Sequence, residues 1–357
     1  KVTVRSVDAS NEHSVREAAR GCDVVLNCVG PFYKTVKTVL AAVIAEKIDY
    51  VDVCDDVDVT LELLDRMDSE AQAAGIRALI GMGSSPGATN LLAKFAADTL
   101  LDVTEAVDIF HAHGGEPVEG AGVIGHRFHC MSIPIPMYLD GELKYVSYFE
   151  DDGIALRQPF TFPVIGEAQL YPYPHPEQVT LPRYIDLQQV TNKGTVLPSK
   201  YYDLTRDMCQ LGLASTDAVE VGGQPVVPYD FAISYILRER ERILTETEFG
   251  TQRGCCSVVV RGRKDDKPEE YRFHMASNSQ ALGEGTGLPA AVGTILMAQG
   301  KVPRLGAYPP EAAVPPLEFI GMIPSVMKLD RSGEGGGFGG VLVERIDAEG
   351  KVHTFNL

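Results

Sequence analysis

Residues 23–30 (DVVLNCVG) are apolar at nearly every position, and Val36, Val39, Leu40, Val43 and Ile44 then return at the three- and four-residue spacing of one helix face. The pattern repeats. "DYVDV" at 49–53 reads as a strand, Leu61, Leu64, Met67 and Ala71 mark a helix, and "IRALIGM" at 76–82 is a further strand. Upstream, "KVTVRSV" at 1–7 is β-branched and alternating, and "NEHSVREAAR" begins with a polar cap and has helical composition, which predicts a strand and then a helix. Strands apolar on both faces that alternate with helices predict right-handed crossovers and a parallel sheet covered by helices.

Residues 103–281 differ. Pro, Gly and Tyr become frequent, as in "YPYPHPEQVTLPRY" (171–184), and β-like runs such as "CCSVVVRGR" (255–263) replace the alternation. A second, mixed α/β domain follows from this, in keeping with 357 residues when single cores rarely grow past roughly 250. "TGLPAAVGTILMAQGKV" (286–302) restores a strong helix, with Thr286 as cap, Leu288, Val292, Ile295 and Leu296 on one face and Gly300 as terminator. Its apolar face assigns it to the first domain. The expected division is 1–102 plus 282–330, then 103–281, with 331–357 a Gly-rich turn and C-terminal strand. In "FAISYILRERERIL" (231–244) arginines alternate with glutamates, the pattern of a solvated face.

Formal charge is −17 with no block of Lys or Arg, which argues against nucleic acid and anionic membranes and for small-molecule partners. Seven cysteines without a C-x-x-C suit reduced thiols in a cytoplasm. The longest apolar runs fall far short of the roughly 18 residues that span a bilayer, and no secretory pattern opens the chain. A soluble, cytoplasmic protein is expected.

In an open parallel sheet, ligands bind beyond the carboxyl ends of the strands. Four such ends are visible: "DAS" (8–10), "NCVGPF" (27–32), "DVCDD" (52–56) and "GMGSSPG" (81–87). The helix from Ala88 is expected to offer unpaired N–H groups to negative charge. A Gly-rich dinucleotide turn between the first strand and helix is absent. Gly120, Gly122 and Gly125 match G-x-G-x-x-G but no strand is predicted before them, and Gly335, Gly337 and Gly340 lead into the strand-like "VLVERI"; both read as flexible turns. If 1–7 and 23–29 are the third and fourth strands of the order 3-2-1-4-5-6, the two strands between them lie before Lys1, in roughly 50 to 60 further residues. The chain without them is then expected to bind dinucleotide poorly.

"DVVLNCVGPF", "YVDVCDD", "GMGSSPGATNLLA", "VTLPRY" and "TGLPAAVGTILMAQGKV" with the later "PPE" resemble the saccharopine dehydrogenase-like reductases, which include lysine 6-dehydrogenases and carboxynorspermidine dehydrogenases. The resemblance covers about residues 1–325, and the P-G-x-x-N turn and the T-G-x-P-A-A helix are its most specific parts. It implies an α/β fold: a Rossmann-type doubly wound parallel sheet with an inserted mixed α/β substrate domain that often dimerises. It also implies NAD or NADP as cofactor, an amino-acid-type substrate, a homodimer, and hydride transfer at a carbon–nitrogen bond. The alternatives are a lysine 6-dehydrogenase-type deaminating enzyme and a non-catalytic nucleotide-binding protein.

By resemblance, Asp8 and Ala9 lie near the adenine, while Asn27, Cys28, Val29, Gly30, Pro31 and Phe32, with Gly83, Ser84, Ser85, Pro86, Gly87 and Asn90, follow the cofactor toward its reactive end. Such chemistry also needs cations for substrate carboxylates and a group that moves a proton at nitrogen. Arg183 in "VTLPRY" is the first choice for the clamp, because guanidinium grips carboxylate in a bidentate fork, and Arg127 is the second. Tyr33, Asp55, His126 and His175 are the candidates for the proton carrier. His126 and His129 in "GHRFHC" stand at i and i+3 as a metal pair would, but no carboxylate or Cys with ligand spacing completes a set, so no metal is expected.

Overall fold

The computed structural model describes residues 2–278, 281–327 and 340–357. Helix α1 (Glu12–Ala19) starts at Asn11, whose side chain accepts the Ser14 amide, and is followed by β1 (Val24–Asn27) and the apolar α2 (Phe32–Ala45). Next come β2 (Asp49–Asp52), α3 (Val57–Glu62) and α4 (Asp68–Ala74) joined by a π turn, then β3 (Arg77–Leu79) and α5 (Ala88–Phe95). The chain then changes to long strands: β4 (Val103–Gly114), α6 (Ala121–Ser132), β5 (Ile135–Leu139), β6 (Glu142–Val146), α7 (Asp151–Ala155), β7 (Gln158–Phe162) and β8 (Gly166–Pro172). After α8 (Glu177–Thr180) follow β9 (Gln189–Leu197), α9 (Ser199–Gln210), the hairpin β10 (Val219–Val221) and β11 (Gln224–Val226), and α10 (Pro228–Glu246). The last elements are β12 (Arg253–Lys264), β13 (Lys267–Ser277), α11 (Ala281–Ala298), β14 (Gly306–Tyr308), α12 (Pro316–Met327), β15 (Leu342–Ile346) and β16 (Val352–Asn356).

Two sheets organise these elements. The first is parallel, in the order β1-β2-β3-β14, and its strands are short and apolar because helices cover both faces. Buried residues of α1 and α2 (Val15, Val36, Leu40, Val43) fill one face, and those of α5, α11 and α12 (Leu92, Val292, Phe319) the other. The second sheet runs β16-β15-β13-β12-β4-β9-β5-β6, with β7 and β8 attached at β9, and β4–β9 is its parallel pair. The helix predicted from 286 is α11, and it packs on the first sheet: the Arg77 guanidinium, ion-paired to Asp49, donates to the Met297 carbonyl at 3.0 Å. Val292 and Leu296 belong to one cluster with Val51, Leu79 and Met82.

Five expectations are corrected. Residues 2–7 form no strand: Val2 and Val4 are each 91% exposed, and β1 pairs with β2 alone among the described residues, so the alternating side chains have no neighbouring strand to order them. Thr286 lies inside α11 and does not cap it, because the helix begins at Ala281. Gly120, Gly122 and Gly125 do not form a flexible turn. They open α6, behind strand β4, and Gly125 is bare because the Tyr229 hydroxyl packs where its Cβ would stand. The arginines of α10 are not all solvated: Arg238 and Arg242 pair with Glu239 on the surface, but Arg240 is buried against Glu119. The C-terminal part contributes two strands, β15 and β16, where one was expected; Gly335 and Gly337 lie outside the described residues.

Candidate functional site

The turn after β3 is fixed by its own backbone. Gly83 N–H donates to the Pro86 carbonyl, the Gly87 N–H donates to Asn90 Oδ1 at 2.8 Å, and Gly87 takes φ 128° with its α-carbon against Gly83, where any Cβ would collide. The Ala88 and Thr89 amides donate to Gly83 and Ser84 carbonyls at 2.9 and 3.0 Å. These amides of α5 are therefore satisfied by the turn and are not free for an anion, contrary to expectation. What the turn presents instead is the surface of Gly83, Ser84 and Ser85.

That surface is one wall of a cavity of about 470 Å³ between the carboxyl ends of β1–β3 and the large sheet. Gly30, Phe32, Val53, Gly83, Ser84 and Thr286 line the first side, and His111, His113, His126, Arg127, Tyr173 and His175 the second. Asp55, Pro31 and Ser85 also line it, so that of the expected residues the structure brings together Gly30, Pro31, Phe32, Gly83, Ser84, Ser85, Asp55, His126, Arg127 and His175. Asn27 is buried beneath, its amide donating to the Tyr50 hydroxyl at 2.9 Å, and Pro86, Gly87 and Asn90 support the turn from below. Cys28 and Val29 are exposed at the sheet edge, and Asp8 and Ala9 stand at the start of α1 outside the cavity. Tyr33 stacks on His129 at 4.2 Å, and burial first, then Tyr229 and Asp56, push its phenol up to about 12. Arg183 is on the surface, 3.2 Å from Asp65, and does not line the cavity.

The charges of the second wall are arranged in pairs. Arg127 is buried against the Glu119 carboxylate and donates to the Tyr201 hydroxyl at 3.0 Å, while Arg240 holds the same carboxylate at 2.6 Å. Burial works against the Arg127 charge, and Tyr201 and Glu119 more than restore it. His113 Nδ1 meets Glu116 at 2.6 Å; burial would raise that carboxyl, but the His113 bond wins and brings it to about 2. His126 has Asp56 Oδ1 3.0 Å from Nδ1, and Asp55 Oδ2 and Cys130 Sγ at 3.5 and 3.4 Å from Nε2. Burial opposes its charge, yet Cys130, Asp55 and Asp56 outweigh it and hold the ring as imidazolium. His111 is the opposite case: burial, then the neighbouring His175 and His113, push it down and keep it neutral.

The 55–58 segment supplies what spacing alone did not show. Asp55 and Asp56 converge on His126, and Asp56 and Asp58 on His129, each a set of three groups with metal-ligand chemistry. Asp55 and Asp56 lie 3.5 and 3.0 Å from His126, and the hydrogen bond from His129 holds Asp58 below the usual carboxylate range.

Residues 1–79 match the family model of the saccharopine dehydrogenase NADP binding domain. A carboxyaminopropylagmatine dehydrogenase of Synechocystis is 23% identical over 309 residues, covering 81% of this chain and 74% of that protein. The chain is thus similar to saccharopine dehydrogenases over its first 79 residues and to this dehydrogenase over most of its length. A carboxynorspermidine synthase of Vibrio cholerae is 22% identical over 354 residues, covering 91% of this chain and 81% of its own. The solved saccharopine dehydrogenase (L-Glu forming) of Saccharomyces cerevisiae shares the fold with a TM-score of 0.62 at 15% identity, covering 91% of this chain and 87% of that one. The saccharopine dehydrogenase-like fold is thus Rossmann-type, the cofactor class is NAD(P), and the protein is an NAD(P)-dependent oxidoreductase. No helix among the described residues is long and apolar enough to cross a membrane.

Sequence reasoning missed His111, His113, Tyr173 and Glu177. Two signals were available. "HAHG" (111–114) ends a strand with histidines on alternate positions, which share a face, and "YPYPHPE" (171–177) sets Tyr173, His175 and Glu177 at the same alternation.

Proposed function

We propose that the protein transfers a hydride between NAD(P) and the carbon of a C–N bond in an amino acid or its imine. One observation carries this reading: a wall able to seat a nicotinamide faces a wall of cations and proton-bearing groups across a single cavity. The first wall fits the ring. Gly30, Gly83 and Gly285 present backbone without side chains, Phe32 and Val53 give apolar surface, and Ser84 and Thr286 give hydroxyls for the carboxamide. When bound, the nicotinamide supplies the hydride acceptor or donor. The residues of this chain hold it, keep the substrate against it and manage the proton at nitrogen.

In this reading residues 1–102 with 282–330 carry the cofactor and 103–281 the substrate, and Arg127 receives the substrate carboxylate. A guanidinium favours an anionic group, and Arg127 is already oriented by Glu119 and Tyr201. Carboxyalkyl amines, the compound class in the names of both relatives, are the first substrates to test. The experiment follows NADH and NADPH oxidation with aldehyde plus amine or amino-acid pairs, and NAD(P) reduction with the corresponding secondary amines. Turnover with a carboxylate-bearing pair supports the reading. Tight cofactor binding in calorimetry with no turnover for any pair would overturn it in favour of a nucleotide-binding protein.

A further inference from the structure

In the cavity wall, three polar side chains from later parts of the chain meet at the Ser85 hydroxyl. Ser85 Oγ lies 2.5 Å from Glu177 Oε1 and 3.1 Å from His175 Nδ1, and accepts from Asn192 Nδ2 at 3.1 Å. Thr89 Oγ1 donates to the same Glu177 oxygen at 2.7 Å, and Glu177 Oε2 is 3.5 Å from His175 Nδ1. Glu177 is fully buried, Asn192 likewise, and His175 is 5% exposed. Burial tends to raise the Glu177 carboxyl, but the bonds from His175, Ser85 and Thr89 outweigh it and keep the group ionised. With Glu177 ionised, the proton count admits one arrangement. A carboxylate only accepts, so the single Ser85 proton goes to Glu177, and Nδ1 of His175 carries the proton it shares with Ser85 Oγ.

From this we infer that His175 is the proton-transfer residue of the cavity, with Nε2 as its working nitrogen, and that Ser85 and Glu177 are positioning residues that fix its tautomer. The inference rests on the oxidoreductase reading. In the oxidative direction Nε2 takes the proton from the substrate ammonium; the nitrogen lone pair then forms the C=N bond as the adjacent carbon gives its hydride to the oxidised cofactor. In reverse, the iminium carbon receives the hydride, and the amine formed takes the proton from the imidazolium. The other candidates are engaged elsewhere. Both nitrogens of His126 face carboxylates, and Tyr33 is stacked on His129, whereas Nε2 of His175 has no hydrogen-bond partner among the described residues. Because Ser85 belongs to the cofactor-facing turn, its bond also sets the distance between the proton carrier and the hydride wall.

Two measurements test this. Long-range ¹⁵N–¹H correlation spectra of histidine-labelled protein, with His175 assigned by His175→Asn, report the tautomer without any turnover. At neutral pH the wild type is expected as the Nδ1–H form. Glu177→Gln, whose amide can donate to Ser85 and turn its hydroxyl toward the ring, shifts His175 to the Nε2–H form. A wild-type Nε2–H tautomer, or one indifferent to Glu177→Gln, would overturn the inference. In kinetics His175→Asn keeps a donor near the Nδ1 position and removes Nε2, so kcat falls about 100-fold or more while cofactor affinity is kept. Glu177→Gln lowers kcat with little change in KM and displaces the acidic limb of the kcat/KM profile. If the wild type turns over and His175→Asn retains its kcat, the inference fails and the oxidoreductase reading stands. If the cofactor binds tightly and no pair turns over, the reading itself fails and takes the catalytic role with it, whatever the tautomer.

Discussion

Arg127 and Arg183 show what a residue type does and does not reveal. Each is a guanidinium near the second wall in sequence terms, but Arg183 is 40% exposed beside Asp65, itself 60% exposed, and Arg127 is buried in the cavity wall. Arg183→Ala should leave the KM for a carboxylate substrate unchanged and stability within about 1 kcal/mol, since exposed pairs contribute little. Arg127→Lys loses the fork geometry and should raise that KM by about tenfold to a hundredfold with smaller effect on cofactor affinity. Steady-state kinetics of the two variants against both substrates decides it; a KM defect in Arg183→Ala alone would reverse the assignment. Glu311 makes a pH prediction. Burial raises its carboxyl to about 7 and outweighs the bonds from Thr180 and from Asn90 Nδ2, the latter at 2.9 Å, which favour the ionised form, so the folded protein prefers it protonated. Between the unfolded value of 4.5 and about 7 the native state holds more protons than the unfolded one, and this contribution to stability is lost as pH rises. Denaturant melts at pH 5 and pH 8 should show Glu311→Gln gaining on the wild type with pH, by up to about 3 kcal/mol. An equal gap at both pH values would show that Glu311 ionises freely.

At the scale of elements, the parallel pairing of β4 with β9 explains both the site and why it was hard to foresee. The register sets His111 beside Gly194, and the His111 ring lies where a Cβ at 194 would stand. Gly194→Ala should therefore destabilise by about 1–3 kcal/mol through overpacking. In the His111→Ala background the same change should cost much less, because the ring is gone, and the four denaturation midpoints of this cycle measure the coupling. Additive effects would mean that the ring rotates away freely. The first sheet was legible because a parallel strand covered on both faces is a continuous apolar run, and β1, α2, β2 and β3 fall where the runs were read. The strand expected at 1–7 failed on the same principle, since alternation alone orders nothing without a paired neighbour. The cavity was half legible. Its glycine and serine turns follow strand ends, a local pattern, but His111, His175 and Asn192 meet only through pairings across 80 residues or so of chain, which no local period encodes.

Across the whole molecule the two sheets share one core. Val51, Leu79 and Met82 from the first sheet lie in the same buried cluster as Val107, Val258 and Phe273 from the second, and α5, α11 and α12 fill the space between them. Helix α11 is central to this, since Val292, Leu296 and Met297 are all fully buried and its backbone is tied to Arg77. A cavity whose walls come from different sheets keeps its width only if the sheets do not move independently, so this shared core holds the hydride wall and the proton-bearing wall in register. The expected consequence is one cooperative unit. Leu296→Ala should cost about 2–5 kcal/mol. Amide exchange should show the loss equally in β2 and β12, which belong to different sheets and make no hydrogen bonds to each other, because both exchange through the same global opening. Protection that falls in β2 and stays unchanged in β12 would mean that the sheets unfold separately, and the distance across the cavity would then be set by the bound substrate and not by the fold.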